Sequence, residues 1–182
     1  MDINGIKNIE KIFQSATCNG GIHEAALLVE NTSGDFSHVC GYGGKNIDSP
    51  LVAASVTKLF TTSCILVLQE RGKLSLDDKL TKYFDKSVLS GLHILKNKEY
   101  SHELSVSDLL FQISGLPNAY EETKSGIKKR IIHEDAIISF NDTLEISKKL
   151  KPRFAPRTKE RAHYADINFD ILGEIIEQIT GR

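Results

Sequence analysis

From about residue 55 onward the hydrophobic pattern of this chain turns helical, and ahead of that point it offers the strands of one hairpin. That order constrains the fold more than any other feature. The runs HEAALLVEN and FSHVCGYG are strand-like, and Thr32-Ser33-Gly34-Asp35 between them reads as a β-hairpin turn. Before the hairpin, Ile6, Ile9, Ile12 and Phe13 recur at helical spacing and predict an amphipathic helix over 4–16. After it, a helix is expected over 55–71, ending at Gly72, followed by a short segment from Asp77 to Phe84. Ser105-Val106-Ser107-Asp108 suggests a cap before LLFQIS, and Asp142-Thr143-Leu144-Glu145 resembles a capping box that opens another helix. A final helix over roughly 167–180 gathers Ile171, Leu172, Ile175, Ile176 and Ile179 on one face and stops at Gly181. A hairpin followed by a mostly helical region is an α+β pattern.

At 182 residues and 40% hydrophobic content the chain has the material for one globular domain, with little room for two. Lys plus Arg (23) nearly balances Asp plus Glu (24), so no electrostatic footprint argues for nucleic acid or an anionic membrane, whereas small neutral or zwitterionic ligands stay open. Cys18, Cys40 and Cys64 are odd in number, widely spaced and without a C-x-x-C, which argues against a disulfide framework and a zinc site; they read as buried thiols. No cofactor or metal is expected. The N-terminal stretch lacks an apolar segment of signal-peptide length, and no run is uncharged for the length of a spanning helix. A cytoplasmic location is therefore expected, although removal of a leader would leave the same sequence. The sequons at Asn31 and Asn141 read as turn and helix-cap residues, and Gly41, Gly43 and Gly44 as a strand end and turn rather than a phosphate loop.

Within LVAASVTKLFTTSCILVL, residues 51–68, a single charged side chain interrupts an apolar and small-polar run. That side chain is Lys58, and Ser55 precedes it by three residues, so on a helix the two share a face. If the helix opens at Ser55, the hydroxyl sits at the positive end of the macrodipole, the Ser55 N–H is an oxyanion donor, and Lys58 reaches the hydroxyl proton. Apolar surroundings would lower the lysine pKa and suit it to act as a base. Spacing alone favours the plainer reading, a capping serine with a lysine snorkelling to water. A second S-x-x-K, Ser125-Gly126-Ile127-Lys128, lies in a polar, glycine-bearing stretch and carries no functional weight.

The blocks ASVTKLFTTSCILVLQERGKLSLDDKLTKYF, LSVSDLLFQISGLPN and HYADINFDILGEIIEQITG, taken together, resemble the N-terminal half of the serine β-lactamase and penicillin-binding-protein superfamily. The likeness is to its class C β-lactamase, D-alanyl-D-alanine carboxypeptidase and esterase branch. The blocks stand in the family's order and cover most of residues 50–181. The resemblance implies a β-lactamase/transpeptidase-like α+β fold, with Ser55 as the nucleophile of an acyl-enzyme, Lys58 as base or proton relay, and Tyr164 carrying the proton to the leaving group. Tyr83-Phe84-Asp85, a second Y-x-D, reads as a core tyrosine with a satisfied hydroxyl, and Ser114 in ISGLPN as part of a structural turn.

Two departures from the family pattern stand out. Its second motif usually reads Tyr-x-Asn, whereas Asp166 stands third here. An aspartate there caps the last helix, or, facing the site, raises the Lys58 pKa and shifts the base role toward Tyr164. The sequence also ends at Arg182, before any Lys-Thr-Gly or His-x-Gly strand with its second oxyanion donor. Loss of one such donor costs on the order of 100- to 1,000-fold in turnover. The expectation is an incomplete serine β-lactamase-like domain over 1–182, with the N-terminal helix and hairpin in 1–50 and the helical region in 51–182. Its function is that of a serine hydrolase acting on a small-molecule or peptide amide, β-lactam or ester through acyl-Ser55, with weak activity as this chain alone. The alternative is a non-catalytic remnant or ligand-binding module of the same fold. Self-association, or a complementing C-terminal segment, is expected to cover the open sheet edge.

Overall fold

The computed structural model describes residues 3–18, 20–134 and 136–181. The chain divides into two units, residues 1–53 and 54–182.

In the first unit, helix α1 (Ile3–Thr17) precedes strands β1 (Ala25–Glu30) and β2 (Ser37–Tyr42), which pair antiparallel with Ala25 opposite Tyr42 and Glu30 opposite Ser37. Ile6, Ile9 and Phe13 lie half-buried along one stripe of α1, whereas Ile12, expected on that stripe, is 70% exposed. Three residues on from Ile9, Ile12 is turned well away from Phe13 around the helix. Asn31 builds the hairpin turn: its side-chain oxygen accepts the Phe36 N–H at 3.0 Å, and its amide meets Asp35, which also takes the Ser33 hydroxyl at 2.7 Å. The asparagine of the first sequon is thus a turn residue.

The second unit is built around helix α7 (Asp166–Thr180), which packs against α2 (Thr57–Glu70), α4 (Val106–Leu110) and α6 (Phe140–Lys148). Ile167, Ile171, Leu172 and Ile175 of α7 are buried with Ile65 and Leu68 of α2, Leu109 of α4 and Leu144 of α6. Burial of each such side chain is worth roughly 1.5–3 kcal/mol. Gly181 ends α7 at φ 71°, taking the left-handed position beyond the last turn as the sequence predicts. Short helices α3 (Lys86–Leu89) and α5 (Ile127–Glu134) and a small hairpin of β3 (Ile94–Leu95) and β4 (Lys98–Glu99) also belong to this unit. Lys96 and Asn97 make the hairpin turn with φ of 51° and 63°.

The stretch Asp77–Phe84 forms only a single 3₁₀ turn at Leu80–Lys82. The residues before it are drawn into extended pairing, with Leu80 N–H on Leu104 O at 3.0 Å and Val106 N–H on Asp78 O at 3.1 Å. The capping box of α6 lies one turn earlier than read: the Ser139 hydroxyl accepts the Asp142 N–H, and Asp142 accepts the Ser139 N–H. Starting there makes Phe140 the first helical residue and lets it stack on Phe84 with ring centres 6.0 Å apart. The box at Ser105 and Asp108 stands where expected. Cys18 and Cys64 are exposed and Cys40 half-buried, so the thiols do not form a buried set; Cys18 follows the last turn of α1 and Cys64 lies off the core-facing side of α2.

Helix α2, apolar for most of its length in sequence, is only partly enclosed. Lys58, Ile65 and Leu68 share the side facing α7, while Leu59, Phe60, Leu66 and Val67 fall within about a third of the circumference and are 67%, 67%, 48% and 39% exposed. Among the described residues, no helix is long and apolar enough to cross a membrane.

Candidate active site

Ser55 occupies a 3₁₀ turn, Ala54–Val56, leading into α2, so the α-helix begins at Thr57 rather than at the serine itself. Ala54 takes φ 45°, a left-handed conformation costly for a residue with a Cβ. The turn leaves the Ser55 side chain exposed, with its Oγ 2.7 Å from Tyr164 Oη across 109 residues of sequence.

Tyr164 is strung between segments that hold its neighbours on both sides. The His163 N–H donates to Gln112 O at 2.9 Å, and the Ala165 N–H to Gln112 Oε1 at 3.0 Å. Gln112 itself stands at φ 58°. Two residues on, Ser114 donates to Asn168 Oδ1 at 2.7 Å and accepts the Leu116 N–H, so this serine is structural, as expected. Gly115 is required in that turn: at φ 74° an added Cβ would run into the Phe154 carbonyl. Sequence patterns do not single out Gln112 or Asn168, because their roles rest on tertiary hydrogen bonds.

Lys58 points along the same face toward the first turn of α7. Its Nζ lies 2.5 Å from Asp166 Oδ1, 5.0 Å from the centre of the Tyr164 ring and 5.6 Å from that of Phe169. Burial pulls the ammonium pKa down, but hydrogen bonds to Asp166 and Tyr164 outweigh it and hold the pKa above its ordinary value of 10.5. Asp166 is the first residue of α7, with Ala165 at the cap position, so its carboxylate faces Lys58 instead of capping the helix. One turn along, burial and the Asp166 charge raise the Asp170 carboxyl to about 6, against a Thr143 hydrogen bond and the Lys58 cation. Asp170 lines a cavity of about 260 Å³ with Tyr120, Thr143 and Phe169, and burial with the Asp170 and Asp166 charges lifts the Tyr120 phenol to about 12.

The structure therefore brings together Ser55, Lys58, Tyr164 and Asp166. The other motif matches resolve as structural. Tyr83 donates to Asp78 at 2.6 Å, and the Ser125 hydroxyl donates to Glu122 O at 2.7 Å while Lys128 is exposed. Chemically, the site presents a hydroxyl paired with a phenol beside a charged ammonium, an arrangement for moving a proton off a nucleophilic oxygen.

Protein flp of Staphylococcus aureus (strain N315) is 28% identical over 185 residues, covering 96% of this chain and 33% of that protein. A D-stereospecific amidohydrolase from Streptomyces sp. superposes with a TM-score of 0.78 at 23% identity, covering all of this chain and 51% of that one. The octameric penicillin-binding protein homologue from Pyrococcus abyssi gives a TM-score of 0.64 at 21% identity, covering 100% and 40%. The chain thus spans about a third of the length of the first relative and about half of the first structure. A family model described as Beta-lactamase matches residues 31–182, and with most of its length so matched the chain belongs to the Beta-lactamase family.

Proposed function

We propose that this chain carries the nucleophile and proton relay of a serine hydrolase that cleaves an amide, β-lactam or ester through an acyl-Ser55 intermediate. The observation that carries the reading is the 2.7 Å contact between Ser55 Oγ and Tyr164 Oη. With Lys58 held protonated by Asp166, Tyr164 is the proton relay, its ring 5.0 Å from the cation. Ser55 Oγ attacks the acyl carbon and gives its proton to the Tyr164 oxygen, while the phenol passes its own proton to the leaving nitrogen or oxygen as the scissile bond breaks. Water then attacks the acyl-enzyme by the same relay, and the serine hydroxyl is restored. The Ser55 N–H serves as one oxyanion donor.

Family membership and the fold shared with a D-stereospecific amidohydrolase support small amide substrates, and the fold shared with an octameric homologue supports self-association. The test is covalent labelling of the 182-residue chain with a fluorescent penicillin and a fluorophosphonate, read by intact mass. One adduct per chain is expected, lost in Ser55→Ala and slowed by roughly 10²–10⁴-fold in Tyr164→Phe. An adduct that persists in Ser55→Ala overturns the assignment. The carboxylate locked on Lys58 favours one second reading, a ligand-binding module of the same fold, for which the penicillin binds saturably without an adduct.

A further inference from the structure

Strand β2 places His38 and Cys40 two residues apart, so both side chains leave the same face. Helix α1 packs on this strand and carries Glu10 to them. His38 Nε2 lies 3.4 Å from Glu10 Oε1 and 3.2 Å from Cys40 Sγ, and the three ligand atoms all fall within 4.8 Å of one another. One imidazole nitrogen serves both neighbours poorly. As N–H it donates to the carboxylate and shares with the sulfur, a weak acceptor, only a bifurcated bond; as a bare nitrogen it accepts from the thiol but faces the carboxylate oxygen without a proton between them.

A divalent ion at the centre resolves this, because all three atoms become ligands. Tetrahedral zinc, bound at about 2.0–2.2 Å by nitrogen and oxygen and about 2.3 Å by sulfur, sets neighbouring ligand atoms roughly 3.3–3.6 Å apart. The two contacts His38 makes lie close to that range. The donor set of imidazole, thiolate and carboxylate is borderline in softness and suits zinc better than magnesium or calcium. Access exists as well: the Glu10 side chain is 48% exposed, and a pocket of about 290 Å³ lined by Glu10, Phe13, Thr17, Cys40 and Tyr42 opens beside the cluster.

The surrounding unit gives such a site something to do. Among the described residues of 3–53, Thr17 is the one that is buried, so helix and hairpin have little core of their own. Small units of this kind commonly depend on a metal or another cross-link. We propose that Glu10, His38 and Cys40 bind a zinc(II) ion, with water in the fourth position, and that the ion clips α1 to β2. The sequence hides this site because its ligands come from a helix and a strand 28 residues apart and share no C-x-x-C or H-x-x-x-H spacing.

The test uses the metal-stripped 182-residue chain titrated with cobalt(II) and then zinc(II). One equivalent of cobalt is expected to give intense tetrahedral visible bands and a thiolate-to-cobalt absorption in the near ultraviolet, both abolished by zinc. Cys40→Ser should remove the thiolate absorption, while Cys18→Ser combined with Cys64→Ser should leave it unchanged. His38→Ala and Glu10→Gln should each weaken zinc binding by more than the roughly 10- to 100-fold lost with an outer-shell partner. Glu10→Gln is nearly isosteric, so it decides the matter even if His38→Ala alters folding, which circular dichroism would report. No thiolate absorption, a band that survives Cys40→Ser, or affinity unchanged in Glu10→Gln overturns the proposal.

Discussion

At the residue scale, Lys58 is the clearest case of opposed forces. Burial disfavours its charge, and the Asp166 carboxylate at 2.5 Å with the Tyr164 hydroxyl more than restores it. In Asp166→Asn the burial effect stands with far less opposition, so the Lys58 pKa falls and the basic limb of the acylation rate moves to lower pH. Stopped-flow acylation by nitrocefin across pH measures this; an unmoved limb with a lowered Tm would make Asp166 a structural residue only. Asp170 gives a second prediction, and its sign runs the other way from the usual carboxylate. Its folded pKa is about 6 against 3.8 for the free side chain, so the folded state holds the proton more tightly. Stability therefore falls as pH rises from about 4 to about 6, and above that the penalty is constant. Asp170→Asn should stabilise the protein by up to 2–3 kcal/mol on the order-of-magnitude scale of 1.36 kcal/mol per pH unit, with the gain gone below about pH 4. Urea unfolding at pH 8 and pH 4 checks it. Of these residues the sequence singles out Ser55, Lys58, Tyr164 and Asp166, because they fall in the blocks that resemble the superfamily. Asp170, Gln112 and Asn168 stay unmarked because burial and cross-chain hydrogen bonds, which no local pattern encodes, give them their part.

At the scale of elements, the capping box of α4 shows how one short helix is anchored. The Asp108 side chain is fully buried, and its Oδ2 accepts the Ser105 N–H at 2.9 Å and Arg157 Nη1 at 2.6 Å. Ser105→Ala should cost about 1 kcal/mol, the usual worth of an N-cap. Arg157→Ala should cost more, about 2–3 kcal/mol, because it strands a buried carboxylate; the partial exposure of the arginine keeps the loss below that of a fully buried pair. Urea midpoints at constant m-value compare the two, and equal losses would mean that Arg157 adds nothing beyond the cap. The box itself was legible, as were α1, the first hairpin and the end of α7, since each rests on a local period or a single terminator. What escaped the sequence depended on partners far along the chain. Leu104 and Val106 hold the backbone at 78–79 in an extended bridge, Phe84 draws the start of α6 back to Phe140, and strands as short as β3 and β4 have no period to read.

At the scale of the whole molecule, α2 is the element out of keeping with its surroundings. Its sequence is apolar on almost every side, the composition of a helix meant to be enclosed. Only Ile65 and Leu68 are buried, while Leu59, Phe60, Leu66 and Val67 form a continuous exposed stripe on the other side. Relatives of this fold are about twice as long as the chain or longer. An apolar stripe of this width in water favours association, because each large side chain removed from solvent gains roughly 1.5–3 kcal/mol. The 182-residue chain on its own should therefore show a light-scattering mass above 20.2 kDa that rises with concentration. Phe60→Glu combined with Leu66→Glu places two charges on the stripe and away from the groove that Val67 shares with Ile176 and Thr180 of α7, so it should return the mass to the monomer with an unchanged circular dichroism spectrum. If the unmodified chain stays monomeric throughout, the stripe is not an association surface. If the double variant associates as strongly as the parent, the contact lies elsewhere, and the free edges of the first hairpin become the surface to examine.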